Sequence, residues 1–147
     1  MKIYLAGSIS GKSYDDVVSR INNTKERLSI CGYDCYSPMT AKEHLRNEVK
    51  FRAHSYNISP ISTNHAIFER DKWMVLQCDI ILVDLIECEL PSFGSIMELA
   101  WGALENKYTI VIMEENNLHQ HAFILEAADI IFNDRESAFI YLESLMK

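Results

Sequence analysis

Glu98 is the sole charged side chain in the stretch from Phe93 to Leu104, inside the sequence LPSFGSIMELAWG at residues 90–102. A surface helix spreads several charges over its outer face. A lone carboxylate one turn past Gly94 and Ser95, both small enough to leave space above it, has the setting of a group with a chemical task. Two readings of it stand: a carboxylate aimed into a site, or one paired with a distant Arg or Lys. Asp71 raises the same question. Residues 64–78 carry Ile67, Met74, Val75 and Cys78 in helical spacing, and Asp71 falls inside that apolar stripe while Glu69, Arg70 and Lys72 take other faces. A carboxylate on a core-facing stripe needs hydrogen bonds or charge partners, or its pKa rises. The alternative is an aspartate at the stripe's edge that bonds a nearby loop backbone. Two inward carboxylates from neighbouring units can do nucleophilic and acid/base work at a glycosidic centre, one ionised and one holding a proton.

The elements that must position these groups alternate along the chain. Residues 2–6 form a short β-rich run closed by Gly7 and Ser8, and residues 15–30 carry Val17, Val18, Ile21, Leu28 and Ile30 as an amphipathic helix ended by Gly32. Strands are predicted at 34–36, 80–85, 109–113 and 130–132. Helices are predicted at 64–78 with Asn64 as cap, from the Glu98 segment to 106–107, at 121–128, and from an Asn133 or Asp134 cap to the C-terminus. Residues 37–63 read as a helical turn or two plus a long loop, a length that is usually functional or mobile. Alternating β and α units imply a parallel sheet covered on both faces with right-handed crossovers. The fold class is therefore α/β, a flavodoxin- or Rossmann-like doubly wound five-stranded parallel sheet forming one domain over residues 1–147. Ligands of such folds bind at the carboxyl ends of the strands. That edge collects the loop 7–12, the loop 86–92 and the start of the Glu98 helix.

Composition narrows the function classes. With 147 residues, 48% hydrophobic and 24% charged, the chain has the make-up of a soluble globular protein. A net charge of −7 without a Lys/Arg cluster argues against nucleic-acid polymers and anionic membranes as partners. A small anion stays possible, because helix N-termini hold phosphate without basic side chains. Residues 1–7 show no signal-peptide organisation and no apolar run approaches membrane-spanning length, so a cytoplasmic location is expected. The four cysteines (Cys31, Cys35, Cys78, Cys88) form no CxxC pair and read as buried reduced thiols. His119 and His121 lack the further ligands of a metal site. No metal and no cofactor are expected.

The segments IYLAGSISG at 3–11, Arg70-Asp71 ahead of a strand, and Pro91-Ser92-Phe93-Gly94 followed by Glu98-Leu99 together resemble the nucleoside 2-deoxyribosyltransferase superfamily. The likeness covers the chain apart from residues 40–63. Gly7-Ser8-Ile9 with Pro91-Ser92 and Gly94 is most similar to its 2′-deoxynucleoside 5′-phosphate N-hydrolases. Trp101 and Ala122-Phe123 are shared with its CMP and hydroxymethyl-CMP N-glycosidases.

The resemblance implies retaining cleavage of an N-glycosidic bond in a nucleoside or nucleotide. Glu98 would be the nucleophile at C1′, Tyr4 the hydroxyl beside it, and Asp71 the acid assisting the departing base. Gly7, Ser8 and Ile9 would wrap the nucleotide, with Gly94 lining the same site. Ser92 stands where transferases carry an aspartate for the free 5′-hydroxyl, and a hydroxyl there suits a 5′-phosphate. Ser10 replaces an arginine of some phosphate N-hydrolases, with Lys12 as the nearby substitute. His121 matches a residue that reaches the neighbouring subunit's site, which implies a homodimer or larger assembly with shared sites. Base exchange between deoxynucleosides and non-catalytic nucleotide binding are the competing functions.

Overall fold

Alternate residues of a strand point to opposite faces of its sheet, and in this chain that alternation decides which helix each side chain meets. The computed structural model describes residues 1–52, 54, 56 and 60–147. In chain order its elements are β1 (Lys2–Gly7), α1 (Tyr14–Ile30), β2 (Asp34–Tyr36), α2 (Asn64–Leu76), β3 (Ile80–Asp84), α3 (Phe93–Leu104), β4 (Tyr108–Ile112), α4 (Ala122–Ala127), β5 (Ile130–Phe132) and α5 (Arg135–Leu145), with a 3-10 turn at Glu43–Leu45. The strands form one parallel sheet in the order β2-β1-β3-β4-β5. This is the doubly wound arrangement that the alternating pattern predicts.

Ile3, Leu5, Ile80, Leu82, Ile110 and Ile112 face α1 and α5, where Val17, Ile21, Leu28, Ala138 and Leu142 complete one core layer. Tyr4, Ala6, Ile81, Val83 and Val111 face the other way, against Met74 and Val75 of α2, Leu99 of α3 and Ile124 of α4. Tyr4 thus lies on the same side of the sheet as both carboxylate-bearing helices. Gly102 lets α3 settle close to β3: a Cβ there would stand 2.7 Å from Cγ1 of Ile81.

Several local expectations are corrected by the backbone chemistry. Thr63, not Asn64, caps α2, its hydroxyl accepting from the Ala66 N–H. That helix stops at Leu76, which leaves the buried Cys78 outside it. α3 ends at Leu104 rather than 106–107 because Asn106 takes a left-handed φ of 54° and the Lys107 N–H turns back to the Gly102 carbonyl. Asp134 is the cap of α5. All four cysteines are free, but only Cys78 is buried; the other three are half-exposed. In the long connection before α2, a 3-10 turn at Glu43–Leu45 is the helical part among the described residues. Residues 53, 55 and 57–59 of its loop lie outside the described residues. No helix among those described is long and apolar enough to cross a membrane.

Candidate active site

At the carboxyl ends of β1 and β3, where the strand order reverses, lies a cavity of about 600 Å³, within the usual range for small-molecule sites. Its walls come from residues 7–10 after β1, from 90–95 leading into α3, from Asn64, Ile67, Phe68 and Asp71 of α2, and from Met97, Glu98 and Trp101 of α3. Residues of the 38–56 connection close another side: Pro38, Lys42, Leu45, Phe51, Arg52, His54 and Tyr56. Among the described residues a second cavity, about 20 Å³ between α1, α5 and the sheet, has room for a water only.

Glu98 is 5% exposed at the floor of the large cavity, and its Oε1 accepts a hydrogen bond of 2.7 Å from the Tyr4 hydroxyl. Burial pushes the Glu98 carboxyl up to about 8; the Tyr4 hydrogen bond opposes the shift, the negative charge of Asp71 adds to it, and Lys42 opposes it. The phenol of Tyr4 is held well above its ordinary range by burial and by the charge of Glu98, so it serves as a donor. Asp71 is 8% exposed and takes a 3.2 Å contact from Nε of Arg70. Burial raises its pKa, while Lys42 and Arg70 pull it back. Neither bland reading of the two carboxylates holds among the described residues. Glu98 pairs with a phenol rather than a distant cation, and the partner of Asp71 is a guanidinium rather than a loop backbone.

The entrance to α3 is held by a buried network. The Ser92 N–H donates to Nε2 of His119 at 2.9 Å, and the other ring nitrogen of His119 meets Oδ1 of Asn117 at 2.8 Å. A backbone N–H can only donate, so Nε2 is the bare nitrogen and Nδ1 carries the proton that goes to Asn117. Burial lowers the His119 pKa and so favours this neutral form. Asn117 in turn donates to the Leu85 carbonyl at 2.8 Å. Helices α1, α2 and α5 have side-chain caps, whereas Ser92 makes no capping bond and its hydroxyl pairs with that of Ser95 at 2.8 Å. The first-turn N–H groups of α3 therefore stay open at the cavity edge. On the opposite lip, Nη2 of Arg20 bonds the Ser8 carbonyl at 3.0 Å and steadies the loop after β1.

Of the residues singled out in the sequence, Gly7, Ser8, Ile9, Asp71, Ser92, Gly94 and Glu98 line one cavity, with Tyr4 directly behind Glu98. Lys12 is not part of the lining; the basic groups there are Lys42, Arg52 and His54. His121 lies apart from the cavity of its own chain, exposed at the head of α4, where its ring accepts from the Phe123 N–H. Sequence reasoning missed Lys42 and the His119–Asn117 pair. A lysine next to a proline-containing turn carries no periodic signal, and two histidines close in sequence suggest a metal before they suggest a hydrogen-bonded brace.

The sequence profile described as nucleoside 2-deoxyribosyltransferase matches residues 3–137. Among curated proteins no sequence matches. Solved structures that share the fold include the following three. The 2-deoxyribosyltransferase of the psychrotolerant bacterium Bacillus psychrosaccharolyticus has a TM-score of 0.68 at 18% identity, over 99% of this chain and 96% of its own. The CMP N-glycosidase of Clostridium botulinum gives 0.62 at 13% identity, over 99% of both chains. A conserved protein of Enterococcus faecalis gives 0.71 at 13% identity, over 99% of this chain and 98% of its own. At such identities these structures speak for the fold alone.

Proposed function

This chain belongs to the nucleoside 2-deoxyribosyltransferase family, and on that premise we propose that it hydrolyses the N-glycosidic bond of a nucleoside 5′-monophosphate through a glycosyl ester on Glu98. One observation carries the reading: a buried carboxyl, gripped by a tyrosine hydroxyl at 2.7 Å, opens onto a nucleotide-sized cavity that Asp71 also lines. In the fraction of the protein in which Glu98 is ionised, a fraction that grows as pH rises towards about 8, its carboxylate attacks C1′, the C1′–N bond breaks, and the electron pair of that bond leaves with the base. Asp71 in its protonated form supplies the proton that the departing base takes up. Water then attacks C1′, the C1′–O bond to Glu98 breaks, and the proton released by the water returns to Asp71. Splitting one hard displacement into two easier ones is the gain of covalent catalysis.

Support for a 5′-phosphate comes from the uncapped first turn of α3 beside Ser92, and from Arg52 and His54 in the facing wall. The exposed apolar side chains Phe93, Leu104 and Phe123 on α3 and α4, 79%, 76% and 81% accessible, offer a face for a second copy of the chain. We propose a homodimer or larger assembly on this face, in which His121 at the head of α4 serves the neighbouring site as the family resemblance implies. The N-hydrolase reading is tested by incubating the protein with matched nucleosides and monophosphates and measuring free base by chromatography. The monophosphate should have the higher kcat/KM, and Ser92→Asp should narrow the gap through like-charge repulsion. Better turnover of unphosphorylated nucleosides, with exchange of one base for another, would instead establish a transferase.

A further inference from the structure

Lys42 is 8% exposed, yet among the described residues no hydrogen bond or ion pair reaches its ammonium. An unpaired buried cation is costly, and the nearby charges of Asp71 and Glu98 offset that cost in part, with no hydrogen bond from the ammonium to either. Its backbone is fixed on both sides: the Lys42 N–H bonds the Met39 carbonyl, its own carbonyl accepts from Leu45, and Ala41 before it is held at a left-handed φ of 59°. The side chain lines the cavity together with Asp71 and Glu98 and lies in the field of both carboxylates. Burial lowers its pKa, which eases release of a proton or a hydrogen bond to a ligand.

We infer that Lys42 is a specificity-determining residue that donates to an exocyclic oxygen next to the glycosidic nitrogen, and so selects 2-oxopyrimidine nucleotides over purine nucleotides. This rests on the glycosidic reading given above. If Glu98 meets C1′ and Asp71 serves the base, a cation that lines the same cavity and is felt by both is a donor open to the base. A pyrimidine carries a carbonyl oxygen on the carbon adjacent to that nitrogen; a purine carries none there. When the C1′–N bond breaks, the pair left on the pyrimidine nitrogen delocalises onto this oxygen, and the Lys42 ammonium donates to it. The proton that the base takes up comes from Asp71, so the base leaves neutral and Lys42 stays an ammonium that shares its hydrogen with this oxygen. Hydrolysis of the Glu98 ester returns one proton from water to Asp71, so charge and atoms balance over the cycle.

The test compares wild type, Lys42→Met and Lys42→Gln on pyrimidine and purine monophosphates, ribo and 2′-deoxy, scored by free base released. Wild type should favour pyrimidines at least tenfold in kcat/KM, a comparison that needs no variant to fold. Loss of a charge-assisted hydrogen bond corresponds to roughly 10- to 100-fold, and Lys42→Met should lose that much more on pyrimidines than on purines, the loss of its pull on Glu98 and Asp71 being common to both. Lys42→Gln, which keeps an N–H donor, should fall between. A 5-fluoropyrimidine nucleotide, whose base leaves more easily, should depend less on Lys42 than its unsubstituted parent. Equal losses on every substrate, or a wild type that prefers purines, would overturn the inference while leaving glycosidic cleavage intact. No base released from any nucleotide would overturn both.

Discussion

Replacing Glu98 with glutamine should make the protein more stable, and increasingly so as pH rises. The Glu98 carboxyl is pushed from its ordinary 4.5 to about 8, first by burial and then by the charge of Asp71. In the folded chain it holds a proton that the unfolded chain has lost, so between those two values stability falls as pH rises. A tenfold difference in proton affinity between the two states is worth about 1.36 kcal/mol. Wild type should then forfeit about 1 kcal/mol at pH 5, about 3 kcal/mol at pH 7 and about 4 kcal/mol at pH 8. Water entering the open cavity trims these figures. Glutamine has the same shape, its oxygen still accepts from the Tyr4 hydroxyl, and it never ionises, so Glu98→Gln escapes the loss. For a chain of this size 1 kcal/mol moves Tm by roughly 2–4 °C. Melting curves of both proteins at pH 5, 6, 7 and 8 should show the variant's advantage widening by several degrees across the series. Parallel curves, or a variant that is less stable at pH 8, would refute the claim that burial holds a proton on Glu98. The same substitution should abolish turnover, a trade of stability for function.

Tyr4→Phe removes the hydroxyl that favours the ionised form of Glu98. It should lower kcat/KM about 10- to 100-fold and move the acid limb of its pH profile upward; an unmoved limb would detach Tyr4 from Glu98 chemistry. Gly102→Ala forces a methyl to 2.7 Å from Ile81, so it should cost about 1–3 kcal/mol in chemical denaturation. An unchanged midpoint would mean that α3 does not need its close approach to the sheet.

The sheet was legible because its strands are buried on both faces and read as continuous apolar runs, Ile80 to Val83 being the clearest. The two carboxylates were legible for the opposite reason: Asp71 and Glu98 interrupt helical stripes that burial otherwise makes apolar. Tyr4 was legible only through the family resemblance, since nothing in a β-strand's alternation marks which inward tyrosine meets a glutamate 94 positions away. The wall formed by Lys42, Arg52, His54 and Tyr56 was not legible at all. Its residues follow no period, and their placement depends on turns such as the left-handed Ala41, which no glycine announces. Helix ends slipped by one to three residues where a neighbouring Thr63 or a left-handed Asn106 competed with the more obvious cap.

The covalent step is tested most directly by trapping it. A 2′-fluoro nucleotide substrate, whose electron-poor sugar slows both steps and the hydrolytic one most, should leave a glycosyl adduct on the protein. Intact mass should rise by one sugar phosphate per chain, and peptide mapping should put it on Glu98. Wild-type turnover with no adduct under any quench, or an adduct on another residue, would contradict a glycosyl ester on Glu98.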